Sequence, residues 1–340
     1  MQKKKIVYIV LPAICIIGIV AALCVYFFSS VNKGEKSEFL YIDSDDNCDS
    51  IFYKLSPFSN VRALSAFKII VRHTDYAENI KTGRYEIVPG DGPISVFYKL
   101  KSGKQTPLNL TIPSVRTMED MAGYLGSKLM ADSTQFIQVF KNDSLCKELG
   151  YDTTTIACTF IPNTYQVYWN ISIDKFMKRM KKESDNFWNE ARLSKAENCG
   201  MTKEQVITLA SIVDEETANK QEKPMVAGMY INRLKQEIPL QADPTIKFAL
   251  KDFSLKRIYH KHLTINSPYN TYRNIGLPPG PIRIPTVDGI DAVLNHAQHD
   301  YIYMCAKEDL SGTHNFATTY EEHLKNAAKY AKALNERGIK

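Results

Sequence analysis

Glu216 has the spacing of a residue that does chemistry. The segment Leu209-Ala210-Ser211-Ile212-Val213-Asp214-Glu215-Glu216-Thr217 reads as the end of an amphipathic helix. At about 100° per residue, Val206, Leu209, Ile212, Val213 and Glu216 share one narrow sector, while Asp214 and Glu215 point away from it toward solvent. A carboxyl aimed at an apolar face is disfavoured in its charged form, so its pKa rises. A Glu that keeps its proton near neutral pH is a general acid. Lifting a Glu from about 4.3 to about 6 takes roughly 2 kcal/mol of bias against ionisation. The plain alternative is a helix-end Glu paired with an arginine such as Arg233, and spacing leaves both readings open.

Around that helix, polar and aromatic residues gather in segments that read as loops: Gln241, Asp243, Tyr269, Asn270, Thr271, Tyr272, His314 and Phe316. Amides, hydroxyls and aromatic faces on loops suit an extended, hydroxyl-rich ligand such as a glycan. Taken singly, several have structural uses, since Asp243 before Pro244 and Asn270 are both good turn formers. Asp243 is also the conceivable second acid of a two-carboxylate hydrolase, which needs carboxyls about 5–9.5 Å apart. Asp214 is not, because it leaves the helix about 160° from Glu216.

Other chemistries find no support in the residues. G-x-S-x-G, H-E-x-x-H, Walker A and G-x-G-x-x-G patterns are absent, and no cofactor is expected. The pairs His260/His262 and His296/His299 bring no carboxylate at ligand spacing, so no metal site is expected either. The seven cysteines include no C-x-x-C; one disulfide is possible, with no pair singled out.

These residues need elements to hold them. The pattern predicts an α+β protein. A helix covers Ser59–Val71, a strand Gly83–Gly90, a second helix Ile94–Lys101 and a second strand Leu108–Ile112, giving a small α+β unit over 51–110. Residues 31–50, with Asp43, Asp45, Asp46 and Asp49, read as a tether. A mainly helical lead-in follows over 111–200. The motif-rich core over 201–320 starts at the helix capped by Thr202, and the whole second domain covers 111–335. A helix over Glu222–Gln236 comes next, then an extended stretch Leu240–Thr245 turning at Asp243-Pro244. Thr286 caps a helix to Ala297, and Tyr301–Ala306 is a strand.

Ahead of all this, Ile6–Phe28 is an uncharged run of 23 residues. As a helix it is about 35 Å long, enough for a hydrocarbon core of roughly 30 Å. It exceeds a signal-peptide apolar stretch of about 7–15 residues and precedes no clear cleavage site, which favours an uncleaved anchor over a removed signal. Lys3–Lys5 predict a cytoplasmic N-terminus, with a cytoplasmic stub and anchor over 1–30 and the rest outside the cytoplasm. Those lysines supply half of the +6 formal charge, so a nucleic-acid partner is not expected.

Leu209–Thr217, Asn232-Arg233-Leu234, Leu240–Thr245, Ser267–Tyr272, Gly276–Ile282 and Gly312–Phe316, in that order, resemble the YceG-like (MltG) family of membrane-anchored endolytic murein transglycosylases. The resemblance spans about residues 80–335. It implies a LysM-like unit ahead of a mixed α+β catalytic domain whose central helix bears the catalytic acid. The second acid of the family's E-x-E-T pattern falls on Glu216 and the first on Asp214, a shorter acid; the F-x-P-D-T turn has Asn163 in place of Asp. It further implies a single-acid lytic cleavage between MurNAc and GlcNAc that leaves 1,6-anhydroMurNAc ends, in the inner membrane of a bacterium with a periplasmic catalytic domain. Peptidoglycan synthases or division proteins are the implied protein partners. Two rivals stay open: an envelope scaffold that grips glycan without cutting it, and a hydrolase that uses water.

Overall fold

The computed structural model describes residues 2–337. Met1, residues 338–340 and the side chains of residues 2–10 lie outside that description, so the reading placed on Lys3–Lys5 is outside the described residues. The chain forms two compact units, one running to Leu110 and including Gln166–Ile171, the other made of Thr111–Tyr165 and the chain from Ser172 onward.

The first unit contains α1 (Gln2–Phe28), β1 (Glu38–Ile42), α2 (Cys48–Leu55), α3 (Val61–Arg72), β2 (Gly83–Ile87) and α4 (Pro93–Ser102); β3 (Leu108–Thr111) follows, across the boundary at Leu110. Over Leu11–Phe28, α1 is apolar and no residue of it is fully buried, though its last turns pack on α3 and α4, with Tyr26 and Phe27 half-buried; among the described residues it alone is long and apolar enough to cross a membrane. β1 runs antiparallel to β2, from Glu38 opposite Ile87 to Ile42 opposite Gly83. Leu40 and Ile42 from β1 and Tyr85 and Ile87 from β2 meet Ile51, Leu55, Phe67 and Val71 of the two intervening helices in one core. The order is therefore strand, helix, helix, strand.

The expected tether does not exist as such. Residues 31–50 hold β1 and the start of α2, and Asn32 is buried with its side-chain amide donating to Ile87 O at 2.9 Å. Two of the four acids that made this stretch look solvated are partnered: Lys54 reaches Asp43 at 3.0 Å and Asp46 at 2.5 Å. Asn47 opens α2 with a capping box closed by Ser50.

The rest of the chain comprises α5 (Met118–Lys128), α6 (Ser133–Phe140), α7 (Asp143–Glu148), β4 (Thr164–Val167), α8 (Ile173–Phe187), α9 (Glu190–Asn198), α10 (Lys203–Glu216), α11 (Lys223–Lys235), α12 (Asp243–Leu250), α13 (His260–Leu263), α14 (Val287–Leu294), β5 (Tyr303–Ala306), β6 (His314–Ala317) and α15 (Tyr320–Glu336). α10 is the axis of the second unit, packed by α9, α11, α12 and α14. Thr202 and Gln205 close a capping box at its start. Every residue from Val206 to Val213 is buried, so α10 is covered on all sides and not amphipathic. Ser211 and Thr208 fit this interior because their hydroxyls bond within it: Ser211 Oγ donates to Thr208 O at 2.7 Å and accepts Ile282 N at 3.0 Å. The latter bond ties the proline-rich loop to the helix. β5 and β6 pair antiparallel, Tyr303 opposite Ala317 and Ala306 opposite His314, with α15 against them.

Two further local readings change. Asp243-Pro244 begins α12 and is not a turn, since proline is tolerated in a first helical turn that has no amide donor to lose. His314 and Phe316 lie on β6, not in a loop.

Candidate active site

The last turn of α10 sends its three acids in three directions, and none is a free surface carboxylate. Asp214 is 2% exposed at its side chain and pairs with Lys223 Nζ at 2.5 Å; its other oxygen accepts the Thr286 amide at 2.6 Å, at the start of α14. It sits so close to Gly289 that a Cβ there would come within 2.5 Å of the carboxylate. Glu215 takes a two-pronged bond from Arg116, at 2.8 and 2.9 Å, and a third from Arg283 at 2.9 Å. The expectation that both acids face solvent is thus corrected. Their partners come from distant segments, and the ion pairs fix the end of α10 from two sides.

Glu216 is the acid left for another use. It is partly buried and lines an open cavity of about 310 Å³ together with Tyr230, Arg233, Gln241, Asp243, Tyr272 and His314, among others. Tyr230 of α11 donates its hydroxyl to Glu216 Oε1 at 2.7 Å. Burial pushes the Glu216 carboxyl up to about 7; the Tyr230 hydrogen bond pulls the other way, and the negative charge of Asp243 pushes with burial. Arg233 does not pair with Glu216. Its guanidinium donates to Pro239 O, Ile302 O and Gln241 Oε1, at 2.8 Å in each closest contact. The plain alternative of a Glu216–Arg233 ion pair therefore fails.

Of the loop residues singled out in the sequence, Gln241, Asp243, Tyr272 and His314 share the cavity with Glu216. Gln241 is held with φ at 54°, a left-handed conformation costly for a residue with a side chain, by its amide bonding Thr271 O at 3.0 Å and by Arg233. Tyr272 donates its hydroxyl to Asp243 Oδ1 at 2.6 Å. Asn270 and Thr271 are buried and bond to the protein itself: Asn270 Nδ2 donates to Leu263 O and Ile265 O, and Thr271 Oγ1 accepts the Ala242 amide. They shape the loop that carries Tyr272. Tyr269 lines a different, more apolar cavity of about 200 Å³ with Phe140, Phe248 and Ile284. Phe316 packs on His299 and Tyr301.

Sequence reasoning missed Tyr230 as a site residue. It falls on the inward face of α11, where a phenol hydroxyl needs a partner, and that need was the available signal. Tyr303 and His323, which also line the cavity and stack on each other with ring centroids 5.3 Å apart, lay outside the quoted motifs. All seven cysteines are unpaired.

The YceG-like family model matches residues 40–329, and the chain belongs to that family. It is 27% identical over 312 residues to the endolytic murein transglycosylase of Bacillus subtilis (strain 168), a match covering 87% of this chain and 85% of that protein. A protein of the same name from Streptococcus pneumoniae strain D39 is 24% identical over 295 residues. That match takes in 78% of this chain but 53% of the relative, so the chain spans about half the length of the streptococcal protein. A crystal structure of a YceG-like protein from Listeria monocytogenes has a TM-score of 0.56 at 24% identity, covering 86% of this chain and 99% of that one. At that identity the likeness concerns fold alone.

Proposed function

We propose that this protein is an endolytic murein transglycosylase, with Glu216 acting first as acid and then as base. Glu216 protonates the oxygen linking MurNAc to GlcNAc, and the bond from that oxygen to the MurNAc anomeric carbon breaks. The positive charge that develops at this carbon is met by O6 of the same sugar. Glu216, now a carboxylate, takes the proton from that 6-hydroxyl as O6 closes on the carbon. The strand is left with a 1,6-anhydro end, and neither water nor metal is consumed. The observation that carries the reading is a partly buried Glu216 whose carboxyl, raised to about 7, opens onto a polar cavity. Both of its protonation states are accessible near neutral pH, as an acid that becomes a base requires. A pure glycan-gripping scaffold needs no such group.

Gln241, Asp243, Tyr272 and His314 are the proposed sugar-contacting residues, and Asn270 and Thr271 support them. In the first unit, the strand-helix-helix-strand order of β1 to β2 supports a LysM-like module for holding glycan. α1 would anchor the chain in the inner membrane with its N-terminus in the cytoplasm and the catalytic domain in the periplasm, beside nascent strands and the synthases or division proteins that handle them. The test is a digest of purified glycan strands by wild type and Glu216→Gln. The variant is expected to fold and bind strands while losing anhydro-ended products. Near wild-type yield of those products would overturn the assignment.

A further inference from the structure

Glu222 stands at the start of α11, 8% exposed, and the chemistry proposed above gives it no role. A carboxylate this buried is costly unless donors surround it. Three do. Thr217 Oγ1 donates to Glu222 Oε2 at 2.8 Å, the His314 amide donates to Oε1 at 2.5 Å, and His314 Nδ1 lies 3.1 Å from Oε2. Thr217 directly follows Glu216, and His314 opens β6 on the wall of the same cavity. One carboxylate thus ties the end of α10 to the strand that presents the histidine. The edge of the imidazole left for the cavity is Nε2, which has no hydrogen-bond partner among the described residues.

We infer that Glu222 is a positioning residue that fixes His314 with its proton on Nδ1, so that Nε2 faces the cavity as a hydrogen-bond acceptor for a sugar hydroxyl. A neutral imidazole has one donor and one acceptor nitrogen, and the partner of one decides the character of the other. A carboxylate accepts only, so Nδ1 must carry the hydrogen. Glu222→Gln inverts this. Its carbonyl oxygen can still take the His314 amide, but its NH2 then faces Nδ1 and can be matched only by an unprotonated nitrogen. The proton moves to Nε2, and the cavity is offered a donor where it had an acceptor.

The inference rests on reading the cavity as the glycan site, and its test separates the two. Two-bond proton–nitrogen NMR spectra of 15N-histidine-labelled full-length protein in nanodiscs report the tautomer without turnover, at a pH where the ring is neutral, with His314 assigned by loss of its signals in His314→Asn. Wild type is expected to show protonated Nδ1 and bare Nε2, Glu222→Gln the reverse, and Glu222→Asp the wild-type pattern. With a GlcNAc–MurNAc tetrasaccharide as probe, the Kd of the Glu216→Gln form should rise about tenfold on adding Glu222→Gln. His314→Gln, whose amide oxygen reaches the place of Nε2, should keep more affinity than His314→Asn. A wild-type His314 protonated on Nε2 would overturn the inference, even if Glu222→Gln cannot be obtained folded. So would a Glu222→Gln protein that flips the tautomer and binds the tetrasaccharide unchanged. Failure of wild type to cleave, with the tautomers and binding as stated, would count against the lytic reaction alone.

Discussion

Glu216 and its immediate partners set how the protein should respond to pH. The proposed reaction begins from the protonated acid, and that form is lost as pH rises through about 7. Cleavage rate is expected to fall on that alkaline limb. The Tyr230 hydrogen bond lowers the Glu216 pKa, so Tyr230→Phe should move the limb to higher pH, by about half a unit or more. A pH–rate profile of both proteins checks the direction, and a limb that stays put or moves down counts against it. The linkage to stability has a matching sign. A folded-state pKa raised above that of the unfolded chain gives stability that is full below about pH 4 and declines as pH climbs through about 7. Helical periodicity singled out Glu216, but α10 is buried all round from Val206 to Val213, so no apolar stripe sets that acid apart, and it is the ordered family motifs that mark its position. Asp214 and Glu215 were misread because their destinations depend on Lys223, Arg116 and Arg283, and helical spacing says nothing of which cations other segments bring alongside.

At the scale of elements, the ends of helices do most of the positioning. α10 is held at its start by the Thr202 box, over Val206–Val213 by burial on every side, and at its end by two sets of ion pairs. The Asp214–Lys223 pair is the least exposed of these, at 2% and 7% for the two side chains. Removing one partner strands a buried charge, so Lys223→Met is expected to lower unfolding stability by about 3–5 kcal/mol. Adding Asp214→Asn to it should recover much of the loss, since the stranded charge is then gone. Chemical denaturation of the three proteins measures this, and equal losses in single and double variants would contradict it. Helices and their caps were largely readable, Thr202 and Thr286 among them, because capping chemistry is local. β1 was not. It is a five-residue strand whose meaning comes from pairing with β2 more than forty residues later, and its acidic neighbours imitate a solvated linker. Asp243-Pro244 failed for a related reason. The same dipeptide serves a turn or a first helical turn, and the residues after it, Thr245 to Leu250, decide for the helix.

The whole molecule is read best from its apolar and polar extremes. The long uncharged run became a single helix, as its length and composition indicated. On the proposed anchoring, the full chain should pellet with membranes and resist extraction by alkaline carbonate. A chain beginning at Ser29 should be soluble; release of the full chain by carbonate would contradict the anchor. The α+β class and the family were also legible, since ordered motifs over most of the second unit are more specific than any one of them. Which motif residues reach the cavity was not. Four of the eight loop candidates line it beside Glu216, and the others went to loop support, a second cavity and aromatic packing.

On the proposed mechanism the glycosidic bond breaks without water, through one acid that also serves as the base. Mass spectrometry of fragments released from glycan strands by the purified protein in 18O-labelled water tests this most sharply. Wild type should release unlabelled, 1,6-anhydro-ended fragments, and Glu216→Gln none. Labelled reducing ends would contradict the mechanism and point to a hydrolase, with Asp243 as the acid to probe beside Glu216.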